Sequence, residues 1–313
     1  MKPESKNITL QLFSFLILYM VVLNNTSFSQ NQNTNELLKN SLKIKSARIK
    51  SCQKYEHSYT FGKRNEVGEL KQEISYNDQG LELSVKYFDD NSLTSYFEYE
   101  YDDKNNLIKS SEYEFFNILK ERSEYRYENG LNTDCVIYDP FGNVSDKQIF
   151  EYNDAKQLVG GKTLYGNGIL YLQWINKYDG KNLVEEVFYD SSGNITKKFT
   201  SEYLNNKKIK ETTLNPNDGK IREISYEYPS KFKTIIKSKD YVFTKTFELE
   251  FVKVYDKNEN LIEVYYLKKE DGSFQNRKKY EYDKNGNLLE ETHYSILNEP
   301  EKSILYKYTY TKN

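Results

Sequence analysis

A tyrosine-led tight turn recurs along the chain from Tyr76 to the C-terminus, and this repeat limits the possible folds more than any other feature. The clearest copy, Tyr280–Glu291, reads Tyr-Glu-Tyr-Asp-Lys-Asn-Gly-Asn-Leu-Leu-Glu-Glu. Tyr280 and Tyr282 are two residues apart, so in a strand their side chains share one face. The Asp, Asn and Gly that follow supply the side-chain hydrogen bond and the positive φ of a tight hairpin turn. One copy therefore predicts a strand, a turn and a second strand.

The interval between copies predicts a long antiparallel meander. Successive turn-leading tyrosines are 25 to 27 residues apart, which leaves room for two short strands and two turns in each repeat. They are Tyr76, Tyr101, Tyr127, Tyr152, Tyr178, Tyr203, Tyr228, Tyr255, Tyr282 and Tyr308. A helical repeat would show a 3.6-residue period and few turn residues, and neither is present. We therefore expect an all-β chain of about 20 short strands.

A sheet of this size cannot stay open and regular. Open twisted sheets rarely exceed about 10 strands, so this sheet must coil, curve strongly or close on itself. If every strand contacts only its neighbours in sequence, stability should be nearly additive along the repeats. A C-terminal truncation series would then lose stability gradually, whereas a closed barrel would lose it in one step.

The first residues of the repeat region can be interpreted in two ways. Leu42, Ile44, Ala47 and Ile49 are interspersed with Lys and Arg, which predicts a strand from Leu42. A helix over Leu37–Ile49 is the alternative.

Turn-forming residues further along the chain predict hairpin connections. Gly62–Gly68 is the predicted first connection, and Gly160-Gly161 and Pro216–Gly219 indicate further turns. Ser238–Asp240 is predicted to be a turn that lacks glycine.

The amino terminus has the pattern of a secretory signal peptide. Two lysines precede a 16-residue, mostly apolar run, Ile8–Leu23, and Ser27-Phe28-Ser29 then offers small residues where a signal peptidase cleaves. The run is shorter than the ~20 residues of a spanning helix, which disfavours an uncleaved anchor. We predict cleavage after Ser29, giving a signal peptide at 1–29, a flexible leader at 30–41 and a β-repeat domain at 42–313.

Charge and cysteine content exclude several classes of function. Removing Lys2, Glu4 and Lys6 with the signal peptide changes the formal net charge from −2 to −3, which gives no electrostatic reason to bind nucleic acid or an anionic membrane. We therefore expect no nucleic-acid partner and no membrane contact after cleavage. Cys52 and Cys135 lie about six strands apart in a meander, or roughly 29 Å, so we expect two unpaired cysteines unless the sheet curls back on itself.

The chain lacks the usual catalytic motifs, so no catalytic residue, metal site or cofactor is predicted. His57 and His293 lie near opposite ends of the sequence and are interpreted as strand-surface residues. Glu185-Glu186 and Glu290-Glu291 are adjacent pairs, whose members point to opposite faces of a strand. Asp256–Asn260 and Asp283–Asn287 imitate the start of a calcium loop but lack its closing Glu, and their turn chemistry already explains these residues.

The repeat resembles a known bacterial family. Tyr-Asp-x-x-Gly-Asn-Leu/Ile/Val, at Tyr138–Val144, Tyr189–Ile195 and Tyr282–Leu288, is similar to the YD repeat of RHS-repeat proteins. The chain also resembles the Tyr-rich secreted repeat proteins of the Bacteroidetes. These resemblances imply a bacterial secreted, periplasmic or cell-surface protein with a spiralling β-sheet, and some members are described as carbohydrate-binding.

The resemblance has limits. The chain departs from the spacing near twenty residues of RHS repeats, and it is judged too short to enclose anything, so only the β-meander is carried over. MORN repeats are a weaker resemblance, because their denser glycine pattern is missing.

The favoured function is a secreted, non-enzymatic binding or scaffold module for a glycan or protein. Rows of aromatic rings could stack on sugars or peptides, although the same rings could merely cover the sheet. The candidate binding residues are Trp174, Tyr99, Tyr101, Tyr125, Tyr127, Tyr178, Tyr280 and Tyr282. The alternatives are a secreted hydrolase with a cross-strand carboxylate pair, and an immunity-type partner whose sheet edge pairs with another chain.

Overall fold

The predicted all-β antiparallel meander is confirmed. The computed structural model describes residues 39–216, 219–242, 245–267 and 274–311, and the predicted signal peptide and most of the leader lie outside them. Among the described residues, one α-helix, α1, covers residues 39–46, and a single-turn 3-10 helix covers Phe115–Asn117 between β6 and β7. The strands are β1 (Ile49–Thr60), β2 (Lys63–Arg64), β3 (Glu69–Tyr76), β4 (Glu82–Asp89), β5 (Ser92–Tyr101), β6 (Leu107–Glu114), β7 (Ile118–Glu128), β8 (Leu131–Tyr138), β9 (Val144–Tyr152), β10 (Leu158–Tyr165), β11 (Leu170–Asp179), β12 (Asn182–Asp190), β13 (Ile195–Leu204), β14 (Lys207–Asn215), β15 (Gly219–Ser230), β16 (Lys233–Val242), β17 (Lys245–Tyr255), β18 (Leu261–Leu267), β19 (Phe274–Tyr282), β20 (Leu288–Tyr294) and β21 (Pro300–Tyr310).

The sheet closes into a barrel because its first and last long strands pair. β1 runs antiparallel to β21 from Ile49, opposite Tyr310, to Ser58, opposite Lys302. On its other side β1 pairs with β3, so twenty strands form a ring and the two-residue β2 is an extra strand against the end of β1. Contacts are therefore not limited to neighbours in sequence. Barrels of about 16 strands already leave an open interior, so the expectation that the chain is too short to enclose anything is wrong.

The barrel has two different rims. The turns that follow β3 and every later odd-numbered strand lie at one rim, which we call the tyrosine rim because the turn-leading tyrosines stand there. The turns that follow β1 and the even-numbered strands lie at the other, the far rim. Helix α1 immediately precedes β1 and so lies at the tyrosine rim.

Helix α1 replaces the strand predicted from Leu42, so the helical alternative is the correct one. The helix packs on the turn between β3 and β4. A Cβ atom on Gly80 would lie 2.1 Å from the carbonyl oxygen of Ser41, so only glycine allows this approach. Lys43 reaches over the Tyr282 ring at 5.6 Å, and Lys39 pairs with Glu259 at 4.0 Å. The short helix thus spans the rim on both sides of the β1–β21 junction. Within the described ranges, no helix has the length and apolar character needed to cross a bilayer.

The repeated turn owes its shape to a clamp between Asp and Asn four residues apart. Asp283 Oδ1 accepts the backbone N–H groups of Asn285 and Asn287, both at 2.8 Å, and Asp283 Oδ2 accepts the side-chain amide of Asn287. Gly286 supplies the required positive φ of 80°. The same clamp recurs at Asp102/Asn106, Asp139/Asn143, Asp190/Asn194 and Asp256/Asn260.

Two other predicted turns are wrong. Gly160 and Gly161 lie inside β10, where a Cβ on Gly161 would come within 2.4 Å of the Trp174 ring. These glycines therefore provide space for an aromatic ring on the next strand rather than a chain reversal. Ser238–Asp240 lies inside β16, which continues to Val242. The Gly62–Gly68 connection joins β1 to β3 as predicted and contains the short strand β2. The predicted turn at Pro216–Gly219 lies at the junction of β14 and β15, and of its residues the structure describes Pro216 and Gly219, the first residue of β15.

The two faces of the sheet differ in chemistry. One face carries the tyrosine rows and buried residues such as Trp174 and Phe188. The other carries exposed cross-strand ion pairs, for example Glu185 with Lys177 at 2.6 Å and with Lys198 at 2.5 Å. Side chains converge on the concave face of a barrel and diverge on the convex face. We therefore assign the tyrosine face to the interior and the ion-pair face to the outside.

Candidate functional site

The turn-leading tyrosines clamp the tyrosine rim. The Tyr101 hydroxyl donates to the Glu82 carbonyl at 2.8 Å, and the Tyr282 hydroxyl donates to the Leu261 carbonyl at the same distance. Tyr178 reaches the Leu158 carbonyl at 3.1 Å in the same way. Each hydroxyl thus reaches a carbonyl about twenty residues earlier, at the beginning of a preceding even-numbered strand. Equivalent bonds are made by Tyr203, Tyr228 and Tyr308.

This clamp assigns a structural role to three of the predicted binding residues, Tyr101, Tyr178 and Tyr282. Tyr127 occupies the same position in its repeat, and desolvation, with a smaller contribution from nearby Tyr125, raises its pKa to about 12. The sequence places these residues correctly in one row but does not reveal the carbonyl that each hydroxyl binds, because that carbonyl lies about twenty residues earlier, at the start of the adjacent strand.

A second row of side chains lies two residues deeper in the barrel and includes Tyr99, Tyr125 and Tyr280. Burial raises the pKa of Tyr280 to about 12, with a further contribution from the Glu291 charge. The Tyr125 hydroxyl lies 3.3 Å from that of Ser110. The structure therefore does not bring the eight predicted residues into one site, but distributes them around the ring.

One sector of the interior is apolar. Trp174, Phe150 and Phe188 pack with Cys135 and Leu158 in a single buried cluster that spans β8 to β12. The Trp174 and Phe150 rings meet edge to face, with centroids 6.1 Å apart. Trp174 is only 5% exposed. It is therefore a core residue of this apolar sector and not an accessible stacking platform.

The opposite sector of the interior is charged. Around the junction of β1 and β21, Glu291 Oε1 accepts from Lys278 Nζ at 2.9 Å and lies 2.6 Å from His293 Nε2. Lys302 and Glu56 form a 2.9 Å ion pair on the adjoining strands. We call these five residues the seam cluster. Its charges nearly balance, so the sector is polar without a strong net field.

Aromatic rings border the seam cluster. Tyr280 lies directly opposite Glu291 in the ladder between β19 and β20. Tyr306 on β21 has the ammonium group of Lys54 over its ring, 5.6 Å from the centroid. The sector therefore combines half-buried tyrosine rings with charged hydrogen-bonding groups.

Glu291 is the electrostatic centre of this cluster. Burial by itself would raise its pKa, but the hydrogen bonds from His293 and Lys278 and their charges outweigh that effect and lower the pKa to about 2. The carboxylate is thus ionised at all physiological pH values. It is suited to accept hydrogen bonds and not to donate a proton.

The two histidines differ from the sequence-based interpretation. Barrel closure brings β1 and β20 within two strands of each other, although His57 and His293 are 236 residues apart in sequence. His57 is 5% exposed, with Nδ1 2.9 Å from the Asn65 carbonyl oxygen and Gly68 packed against its ring. His57 is therefore a buried residue that anchors the first connection, and not a strand-surface residue. His293 lies on the opposite face of the sheet, so the two do not form a pair.

The cysteines are unpaired, as predicted. Cys52 on β1 and Cys135 on β8 are both free and buried. Burial raises the pKa of Cys52 to about 11 and that of Cys135 to about 12. Neither thiol is therefore a reactive thiolate at neutral pH.

The carboxylates arrange as the strand geometry requires. Glu185 faces outward to its two lysines while Glu186 is buried, so this adjacent pair is split between faces. In the turns both oxygens of each clamping Asp are occupied by N–H donors of the same turn. The structure also places Glu112 directly opposite Glu121 in the ladder between β6 and β7, a juxtaposition that the sequence did not reveal.

No protein-family model and no curated protein matches the chain. Similar solved structures include a porin-like protein from Bacteroides uniformis, with a TM-score of 0.40 and 11% identity over 84% of this chain and 97% of that chain. A second porin-like protein, from Bacteroides vulgatus, has a TM-score of 0.29 and 7% identity over 83% of this chain and 98% of that chain.

The Tc holotoxin pore of Photorhabdus luminescens is also similar, with a TM-score of 0.39 and 13% identity over 76% of this chain. The match spans only 13% of the toxin chain. All three TM-scores are below 0.5, so the likenesses carry no inference about function.

Proposed function

We propose that the protein is a non-enzymatic binding module, and that the seam sector of its interior binds a polar, uncharged ligand of the carbohydrate class. The main support is that the seam sector combines two half-buried tyrosine rings, Tyr280 and Tyr306, with the charged groups of Glu291 and Lys278. A sugar presents an apolar ring face and a belt of hydroxyl groups. Tyrosine rings can stack on the first, and charged groups form strong hydrogen bonds with the second.

The near balance of charge supports an uncharged ligand. In the seam cluster, Lys278 and Lys302 are each paired with a glutamate, so a strongly anionic ligand would have to displace Glu291 or Glu56. A neutral ligand needs no such displacement. The apolar sector cannot serve equally well, because its rings are packed against each other.

A hydrolase is the second candidate, and one observation favours it. Glu112 and Glu121 lie opposite each other, and desolvation followed by the Glu112 charge raises the pKa of Glu121. Directly opposed residues have Cβ atoms about 5 Å apart, comparable to the ~5 Å carboxyl separation of retaining glycosidases. Lys120 forms an ion pair with Glu112 at 2.7 Å. Measurable glycoside hydrolysis that is abolished in Glu121→Gln would replace our proposal with this one.

The sheet-edge alternative loses its basis. β1 and β21 pair with each other, so among the described residues the ring of twenty strands offers no free edge for another chain. We place the binding module outside the cytoplasm, in the periplasm, on the cell surface or in the medium, in accordance with the amino-terminal signal pattern.

A glycan array followed by calorimetry on the best binder tests the proposal. Glu291→Gln should weaken binding at least tenfold because it replaces a charged acceptor with a neutral one, and Tyr306→Ala should weaken it similarly. Lys177→Met, on the outer face, is the matched control and should leave the affinity unchanged. Absence of any glycan ligand, or equal affinity in all three variants, would refute the proposed site.

A further inference from the structure

The far rim carries apolar side chains at the tips of its loops. Phe61 is fully exposed, at 101%, Phe141 is 89% exposed and Phe116 is 80% exposed. On the tyrosine rim, the most exposed large apolar side chain among the described residues is Leu204, at 61%, and it ends a strand instead of occupying a turn. The exposed apolar tips of the far rim are Phe61, Val67, Phe115, Phe116, Phe141, Ile169, Ile296 and Leu297.

These tips form one arc that is interrupted at a single loop, β4–β5. They belong to the connections β20–β21, β1–β3, β6–β7, β8–β9 and β10–β11, which are five of six consecutive far-rim loops around the ring. Successive loops on one rim are two strands apart, or about 10 Å. The apolar arc therefore follows roughly half of the rim, as separate apolar points with polar turn residues between them.

Two of the tips occupy backbone positions that disfavour phenylalanine. Phe61 and Phe116 have φ values of 50° and 63°, in the left-handed region where Asn, Asp and Gly are preferred. Among the described residues, eight of the other eleven non-glycine positions with positive φ hold Asn or Asp, as in the turns Asn129-Gly130 and Asn205-Asn206, and the remaining three hold Arg48, Lys156 and Glu259. Folding alone would favour Asn at these sites on both counts, backbone conformation and exposure to water. A benefit other than folding must therefore retain the two rings.

From this we infer that the apolar arc of the far rim docks on the surface of a phospholipid bilayer, with the loop tips inserted at the headgroup boundary. A fluid lipid surface closes around each separate projecting side chain, whereas a protein partner would need a matching pocket for each of the eight. Phe115 and Phe116, with ring centroids 4.0 Å apart, form the bulkiest projection.

The docking does not depend on a cationic surface. The net charge of −3 expected after signal cleavage gives no electrostatic reason for membrane contact. Net charge governs attraction to anionic lipids. The arc would instead bind through burial of apolar surface, which is favourable in a neutral bilayer as well. Lys63 lies two residues after Phe61 and is exposed, so a headgroup phosphate has a donor beside the most exposed tip, whereas the neighbouring Arg64 is paired with Glu290 at 2.9 Å.

Flotation with phosphatidylcholine vesicles tests the inference, and the left-handed backbone supplies a discriminating variant. Phe61→Asn combined with Phe116→Asn removes two rings while placing a favoured residue in each turn, so the fold should be kept or stabilised. We expect the unmodified protein to float with the vesicles. The double variant should bind the vesicles at least about tenfold more weakly. Leu204→Asn, at the tyrosine rim, is the matched control and should bind as the unmodified protein does.

Three outcomes would overturn the inference: no flotation of the unmodified protein, equal flotation of the double variant, or equal weakening by Leu204→Asn. Light scattering without lipid identifies the competing occupant. If the unmodified protein does not float but is a dimer, and the double variant is a monomer, the arc is instead a contact between two copies of this chain.

Discussion

The apolar sector and the seam sector lie on opposite sides of the same ring, and they are built from the same repeat. Trp174 on β11 is about ten strands from the β1–β21 junction in either direction. Around Trp174 the inner face is filled by rings and aliphatic chains, and at the junction the equivalent face carries Glu291, His293 and Lys278. The repeat thus determines strand length and turn position, while the variable inner residues determine what each sector does.

The difference also reflects how strands find their partners. Hairpin connections set the register in the rest of the ring, but β1 and β21 are joined by no turn. Their register must be specified by side chains, and polar contacts are more selective than apolar ones. On the outer face Lys307 lies over the Tyr55 ring at 4.2 Å, and on the inner face Lys302 pairs with Glu56 at 2.9 Å. Polar contacts on both faces of the sheet thus join β1 to β21.

Opening the ring should have the largest effect on stability, because both sectors belong to the same closed sheet. Deleting residues 300–313 removes β21 and exposes β1 and β20 as unpaired edges, so we expect loss of the cooperative transition and association of the product. Thermal unfolding and light scattering measure both. A circular permutant that joins the original ends and opens the turn at 153–157 keeps every ladder and should remain monomeric. A small, gradual loss on truncation would instead support additive repeats.

Removing the ring at the centre of the apolar sector should have the next largest effect. Trp174→Ala leaves a cavity between Phe150 and Phe188, and the expected loss is about 3–5 kcal/mol of unfolding free energy in denaturant titration. Tyr306→Phe, at the seam, keeps its ring and is the matched comparison, with an expected loss below about 1.5 kcal/mol. Equal losses would mean that the two sectors do not differ in how they stabilise the barrel.

The turn spacing predicts the meander well because hairpin signals are local. It predicts neither closure nor the seam, since the contacts between β1 and β21 join residues more than 240 positions apart without any turn signature. The strand predicted from Leu42 is wrong because a short run of alternating Leu, Ile and Lys fits a strand and a helix equally. The packing of this segment against Gly80 favours the helix. The turn predicted at Gly160 and Gly161 is wrong because the sequence alone does not distinguish a glycine that makes room for a neighbouring ring from one that reverses the chain.

The seam should be the acid-sensitive sector. The pKa of Glu291 is about 2 in the folded protein against 4.5 for the free side chain, so its ion pairs stabilise fully above pH 4.5 and are lost as the pH falls toward 2. After allowance for screening, Glu291→Gln should cost about 1–2 kcal/mol at pH 7. The difference from the unmodified protein should shrink between pH 4.5 and 2, whereas Trp174→Ala should show no such trend. A constant difference for Glu291→Gln would exclude the ion-pair explanation.

Substitutions at the tyrosine rim should change the free energy of unfolding least, and by similar amounts in both sectors, because the same clamp occurs in both. Tyr282→Phe and Tyr178→Phe each delete one hydroxyl that binds a carbonyl, at 2.8 Å near the seam and 3.1 Å beside the apolar sector. A neutral hydrogen bond contributes about 0.5–1.5 kcal/mol, so both losses should fall in that range and be similar. Tyr165→Phe, with an exposed side chain, should be neutral within about 0.5 kcal/mol. A markedly larger loss at Tyr282 would show that the clamp supports closure and is not a uniform property of the repeat, since Tyr282 also carries Lys43 of α1 over its ring.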